Sequence, residues 1–326
     1  MFFLSPGATP NDGGTFRAMD AVILDDEIAP ALAAAPIGFE LSADVLPAMR
    51  AARGEMFGGV PLSDAVERTD HVVSDDPHVV VRVHRPRGVE GPLPCVYSIH
   101  GGGYVLGSYD MDDAKFDRQC VHFPCVGVSV EYRLAPETPY PGPLDDCYAG
   151  LRWTHEHAAE LGIAPNRIGI AGVSAGGGLA AALALLARDR DEVPVAFQLL
   201  ECPMIDDRQT TSSSRLDGLP IWSRESNEFG WRSYLGELYG GDVPAYAAAS
   251  RATDLAGLPP ALVIVGGADG FRDEDIEYAL RLNQAGVPTE LHVLPGAPHG
   301  VQMFTDSVVA RRWNQMVTQW LEQRLR

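Results

Sequence analysis

The chain has 326 residues, 46% hydrophobic and 21% charged, enough to bury a large core; disorder, a collagen-like repeat and a disulfide-stapled miniprotein are excluded. Forty-four acidic against 25 basic side chains give a formal charge of -19, which repels polyphosphates and anionic membrane surfaces, so a nucleic-acid partner is not expected. Cys95, Cys120, Cys125, Cys147 and Cys202 contain no CxxC pair and are odd in number, so reduced, buried thiols are expected, with neither a disulfide framework nor a structural zinc.

The N-terminal MFFLSPGATPNDGG lacks the basic region and the apolar length of a signal peptide, from which a cytoplasmic location is expected. Short helical pieces at 15–32 and 42–57 follow, with no strand among them, and suggest a cap or packing arm. From Val79 the pattern turns β-branched, predicting strands over VVVRVHRP, PCVYSIH (94–100) and PCVGVSVEYR (124–133). A helix over 144–161 is marked by Pro143 near its start and Gly162 just past its end. The uncharged run Ile168 to Ala187 is long enough to cross a bilayer, but Gly169, Gly172, Gly176, Gly177 and Gly178 would each cost about 1 kcal/mol in a helix interior. A strand over 167–173, a tight turn and a buried helix over 177–190 fit the same letters, and no membrane insertion is expected.

A strand is predicted over 193–200. Residues 205–250 then break the alternation with a helix-rich stretch carrying Trp222, Phe229, Trp231 and Tyr234, taken as an insertion between strands. Strands over 261–265 and 290–294 and helices over 273–285 and 307–324 complete the chain. In the last helix Val309, Trp313, Met316, Val317 and Trp320 recur at helical spacing and form a core face. Strands separated by helices predict an α/β fold, a mostly parallel sheet covered on both faces with any site along one edge.

The chemistry centres on Gly172-Val173-Ser174-Ala175-Gly176, a G-x-S-x-G between an apolar strand and an apolar helix, the setting of a nucleophile elbow. The bland alternatives are an N-cap serine in a glycine-rich turn and a phosphate loop, the latter lacking G-K-[ST]. A nucleophilic serine needs a base, and the base an orienting acid. Of nine histidines, only His299 stands alone in a loop after a strand, in PGAPHG; the acid candidate Asp269 ends the strand PALVIVGGA. Asp273 and Asp275 compete as acids, but they fall where a helix begins and favours negative charge. Serine, acid and histidine, each just after a strand, occur in the chain order of α/β-hydrolases. His100-Gly101-Gly102-Gly103 after PCVYSIH can bend into a nest of N–H donors; Gly101 and Gly102, with Ala175 from the elbow, are the oxyanion-hole candidates, His100 serving as a prop.

HGGGYVLGS at 100–108, EYRLAPETPYPGPLDD at 131–146, the GVSAGG elbow, ADGFRDED and the PHG around His299 together resemble the hormone-sensitive-lipase-like carboxylesterases of the α/β-hydrolase superfamily. The resemblance implies an eight-stranded sheet and a helical cap made from residues 1–65 and the insertion at 205–250, on one catalytic domain spanning 66–326. It further implies hydrolysis of short- to medium-chain acyl esters without a metal or other cofactor, and often a homodimer along the edge strand, here Glu290 to Leu294. Trp222, Phe229, Trp231 and Tyr234 are candidates for lining the substrate pocket, or equally for packing the cap interior. Val173 stands where many members have Asp or Thr, and Gly270 where many have Pro. A lactone, carbamate or amide hydrolase would use the same triad, and a noncatalytic binding protein of this fold is expected to have lost the histidine. The acidic balance favours neutral over carboxylate-bearing esters.

Overall fold

A computed structural model describes residues 22–34, 40–57 and 61–326, the side chains of 53–57 excepted. The helix expected from residue 15 therefore lies partly outside the described residues, as does much of the 1–65 segment.

The strands are β1 (Val66–Asp75), β2 (His78–Pro86), β3 (Leu93–Ile99), β4 (Val126–Glu131), β5 (Ile163–Val173), β6 (Gln198–Glu201), β7 (Ala261–Ala268) and β8 (Thr289–Pro298). They form one eight-stranded sheet in the order β1-β2-β4-β3-β5-β6-β7-β8. β2 runs antiparallel to β1 and β4, and every later pairing is parallel. The helices are α1 (Ile28–Ala34), α2 (Leu46–Phe57), α3 (Asp113–His122), α4 (Gly142–Glu156), α5 (Ala158–Leu161), α6 (Ala175–Arg190), α7 (Arg224–Leu235), α8 (Arg272–Gln284) and α9 (Val308–Leu325).

The period-two rule for strands divides the core. Cys95, Tyr97 and Ile99 of β3 face a layer built from α4, α6 and α8, while Val96 faces the opposite layer, with Phe116 of α3 and Trp313 and Trp320 of α9. The spacing of apolar residues in α9 is thus used as expected, and Ser307 caps its start by accepting the Ala310 N–H at 3.2 Å. Helix α6 is buried on all sides from Ala175 to Ala187, so the run that could pass for a membrane span is the inner strand, elbow and central helix of the sheet. Among the described residues no helix is long and apolar enough to cross a membrane.

Several boundaries differ from expectation: β5 starts earlier, at Ile163, and β8 runs on to Pro298. The edge strand β1 leaves no apolar run in the sequence, because most of its side chains are exposed or half-buried. The strand expected over 193–200 is confined to Gln198–Glu201. The single helix expected over 144–161 breaks at His157 into α4 and α5, and Gly162 ends it in the left-handed region at φ 64°. Between β6 and β7 the chain leaves the sheet and forms α7, whose Ser226 Oγ accepts the Leu41 N–H at 3.0 Å from the N-terminal segment. Nearby, Arg50 of α2 donates to the carbonyls of Val105 and Ala135.

Candidate active site

Ser174 is the hinge residue between β5 and α6, at φ 57° and ψ -122°, a conformation that costs a non-glycine residue on the order of 1–3 kcal/mol. Three backbone bonds hold it there. Its N–H donates to the Glu201 carbonyl at 2.9 Å, and its own carbonyl accepts the N–H groups of Gly178 and Met204 at 2.9 Å each. The elbow glycines are required by space: a Cβ on Gly172 would overlap the Gly176 carbonyl, and one on Gly176 would overlap the carbonyls of Ile99 and His100. Val173 packs partly buried against the α9 side of the core.

Asp269 follows β7 and His299 follows β8, so parallel strands deliver all three side chains to one carboxyl edge of the sheet. Ser174 Oγ lies 2.9 Å from His299 Nε2, and His299 Nδ1 lies 2.8 Å from Asp269 Oδ2. The other carboxylate oxygen of Asp269 accepts the Phe271 N–H at 3.0 Å, and the Phe271 ring stands edge-on to the imidazole at 5.1 Å. Ser174, Asp269 and His299 are only 6%, 1% and 7% exposed, which strengthens each polar contact among them. With Nδ1 carrying the proton toward Asp269, Nε2 is free to accept one from Ser174.

Neither competing acid is hydrogen-bonded to His299. Asp273 accepts the Ser213 N–H at 2.7 Å and pairs with Arg272 at 2.8 Å. Asp275 is wholly buried in α8, and burial, with Glu274 and Asp269 nearby, holds its carboxyl well above the usual range. Burial likewise raises Glu274, whose Oε1 accepts the N–H groups of Ile205 and Asp206 at 3.2 and 3.1 Å. Gly270 ties the acid loop to the insertion by accepting the Ser213 hydroxyl at 2.9 Å.

Opposite the elbow, Gly101 approaches so closely that a Cβ would sit 2.8 Å from the Val173 carbonyl oxygen and 3.4 Å from Ser174 Cβ. Gly102 and Gly103 take φ 129° and 61°, which side chains resist, and the Gly102 carbonyl closes the turn by accepting Val105 and Leu106 N–H groups. No hydrogen bond among the described residues uses the Gly101 or Gly102 N–H. Ala175 is the first residue of α6, where helix N–H groups have no partner within the helix. His100 is buried beneath the loop, stacked on Tyr132 at 4.1 Å with Nδ1 3.0 Å from the Gly101 carbonyl oxygen. Arg133 beside it grips Asp146 through its backbone N–H and guanidinium.

Of the four aromatic pocket candidates, the structure brings Trp222 to the triad, its ring 6.3 Å from His299. Phe229 is partly buried and packs on the core. Trp231 and Tyr234 do not line a pocket: both are 0% exposed, packed around Tyr104 at 5.2 and 4.0 Å, because they occupy the inward face of α7. Leu219 and Ile221 join Trp222 beside the loops of the triad. Leu219 Cδ1 would lie 3.0 Å from a Cβ on Gly270, and Ile221 Cγ2 3.6 Å from one on Gly300, so both flank the acid and histidine loops. Their only signal was a short apolar run, LPIW, leading into Trp222.

A family model described as alpha/beta hydrolase fold matches residues 96–303. Esterase LipI of Mycobacterium tuberculosis is 41% identical over 222 residues, 68% of this chain and 69% of its own. Carboxylesterase NlhH of the same species is 41% identical over 230 residues, 69% of this chain and 72% of its own. A solved bacterial heroin esterase superposes with a TM-score of 0.87 at 42% identity, covering 93% of this chain and 98% of that one. The chain therefore belongs to the hormone-sensitive-lipase-like carboxylesterases of the α/β-hydrolase fold and is a carboxylic ester hydrolase.

Proposed function

We propose that the chain is a serine carboxylesterase that hydrolyses neutral, short- to medium-chain acyl esters through an acyl-enzyme on Ser174. The observation that carries this reading is the continuous contact from Ser174 Oγ through both ring nitrogens of His299 to Asp269. His299 Nε2 takes the hydroxyl proton as Oγ attacks the ester carbonyl, and Asp269 fixes the tautomer and stabilises the imidazolium. The Gly101, Gly102 and Ala175 N–H groups receive the oxyanion, where one well-placed donor is worth about 10²–10³ in rate. His299 then protonates the leaving alcohol, and water repeats the sequence on the acyl-enzyme. No metal or other cofactor enters these steps.

The N-terminal segment and residues 205–250 act as the cap, tied to each other by the Leu41 to Ser226 bond and reaching the triad through Trp222. The net charge of -19 supports the preference for neutral esters. The buried, reduced cysteines support a cytoplasmic location. Exposed Leu291 and Val293 on the edge strand β8 support a homodimer along that edge. Ser174→Ala tests the assignment: loss of p-nitrophenyl acetate hydrolysis with an intact fold is expected, and wild-type turnover would refute it.

A further inference from the structure

A third titratable side chain reaches the buried side of the Asp269–His299 pair. Cys202 directly follows β6, Asp269 follows β7 and His299 follows β8, three neighbouring parallel strands, so the sheet itself collects them. One ligand atom from each of Cys202, Asp269 and His299 lies within 4.8 Å of the other two, and all three residues are buried. Cys202 is held at φ 38°, in the left-handed region, by its N–H donating to the Ile264 carbonyl at 2.7 Å. None of this was visible in the cysteine spacing, because the ligands come from three separate segments.

We infer that Cys202, Asp269 and His299 form an inhibitory site for a thiophilic divalent cation of the Zn²⁺ class. The inference rests on reading His299 as the base for Ser174. Sulfur, imidazole nitrogen and carboxylate oxygen are the donors Zn²⁺ prefers, at about 2.0–2.3 Å, so a small contraction of the cluster completes three positions of a tetrahedron and leaves the fourth for water. A thiolate and a carboxylate neutralise a dication, so the site goes from one negative charge without the ion to none with it. A thiol near pH 7 is neutral and gives up its proton when it becomes a metal ligand. Mg²⁺ and Ca²⁺, which seek six or more oxygens, have no match here.

The consequence for His299 is a change of tautomer. The ion takes the place of the proton on Nδ1; that proton moves to Nε2, and the Cys202 thiol proton is released to solvent, with no change of oxidation state. Nε2–H then points at Ser174 Oγ and cannot accept its proton. Inhibition by this route releases one proton per ion and needs nothing from Ser174.

Calorimetric titration of Zn²⁺ into the full-length Ser174→Ala protein separates metal binding from catalysis. One ion per chain with release of one proton is expected. Adding Cys202→Ser or Cys202→Ala should weaken binding by at least the about 10- to 100-fold typical of losing a supporting metal-site partner. Cd²⁺ should add an ultraviolet thiolate charge-transfer band that both Cys202 variants lack. On an otherwise native chain, Zn²⁺ should inhibit p-nitrophenyl acetate hydrolysis. The Cys202 variants should need correspondingly more metal, each normalised to its own metal-free rate. Cys125→Ser, in the separate Cys120–Cys125 contact, should behave as wild type. No bound ion, unchanged affinity in the Cys202 variants, or sensitivity that follows Cys125 instead would overturn the inference. Residual esterase activity in Ser174→Ala would instead refute the catalytic reading and leave the binding result standing.

Discussion

The indole of Trp222 lies against Gly103 so closely that a Cβ on that glycine would overlap its six-membered ring. The glycine loop opposite the elbow and the insertion between β6 and β7 therefore share one packing decision beside His299. Gly103→Ala is expected to displace Trp222 and slow ester hydrolysis about tenfold or more, partly also because Gly103 sits at φ 61°. Trp222→Ala should change acyl-chain preference and relieve part of the Gly103→Ala defect. A double-mutant cycle on kcat/KM should give a coupling of about 0.5–3 kcal/mol, and strict additivity would break the link.

Asp269 is the only one of the three candidate acids in contact with His299. Asp269→Asn should lower kcat by about 10³- to 10⁴-fold while leaving KM close to wild type, since the amide can donate to Nδ1 and hold the wrong tautomer and carries no charge to stabilise the imidazolium. Asp275→Asn replaces a carboxyl that burial already holds well up, and Asp273→Asn disturbs only the Ser213 and Arg272 contacts. Both should keep at least about a tenth of wild-type kcat. Steady-state kinetics of the three variants decides between them, and an equal loss in Asp275→Asn would move the acid assignment.

Burial pushes the Glu131 carboxyl, at the end of β4, up to about 7 from 4.5, although its Oε2 accepts the Tyr109 N–H at 2.8 Å. The folded chain thus binds this proton more tightly than the unfolded chain. The stabilisation is complete below about pH 4.5 and is lost as pH rises through about 7. Glu131→Gln keeps an acceptor for Tyr109 and removes the titration. Urea midpoints at about pH 5 and 8 should show wild type losing up to about 2–3 kcal/mol relative to the variant. A pH-independent difference would contradict this.

Trp231 is fully buried between α7 and Tyr104, so its contribution is packing. Trp231→Ala should cost about 3–5 kcal/mol in urea denaturation, whereas Trp222→Ala should cost far less and act on specificity. Equal stability losses would mean that the two tryptophans do not divide the work this way.

How much could be read beforehand follows from which physical constraint left a local trace. The elbow was legible because Gly172 and Gly176 face backbone carbonyls at closest approach, and only glycine fits. The order of Ser174, Asp269 and His299 was legible because each directly follows a strand. By contrast, β1 pairs through backbone bonds with nearly all of its side chains exposed or half-buried, so its letters lack a strand's apolar signature. Trp231 and Tyr234 are aromatic like Trp222, but they lie on the inward face of α7 in the core, whereas Trp222, just before that helix, stands beside His299. Leu219, Ile221 and Cys202 lie in irregular segments where periodicity says nothing. Their places depend on which strands become neighbours.

The nucleophilic role of Ser174 is tested most directly by labelling the native chain with a fluorophosphonate and mapping the adduct by peptide mass spectrometry. One adduct per chain on the peptide carrying Ser174, with activity lost in proportion, is the expected result. Labelling at another residue, or full activity in a chain modified at Ser174, would contradict it.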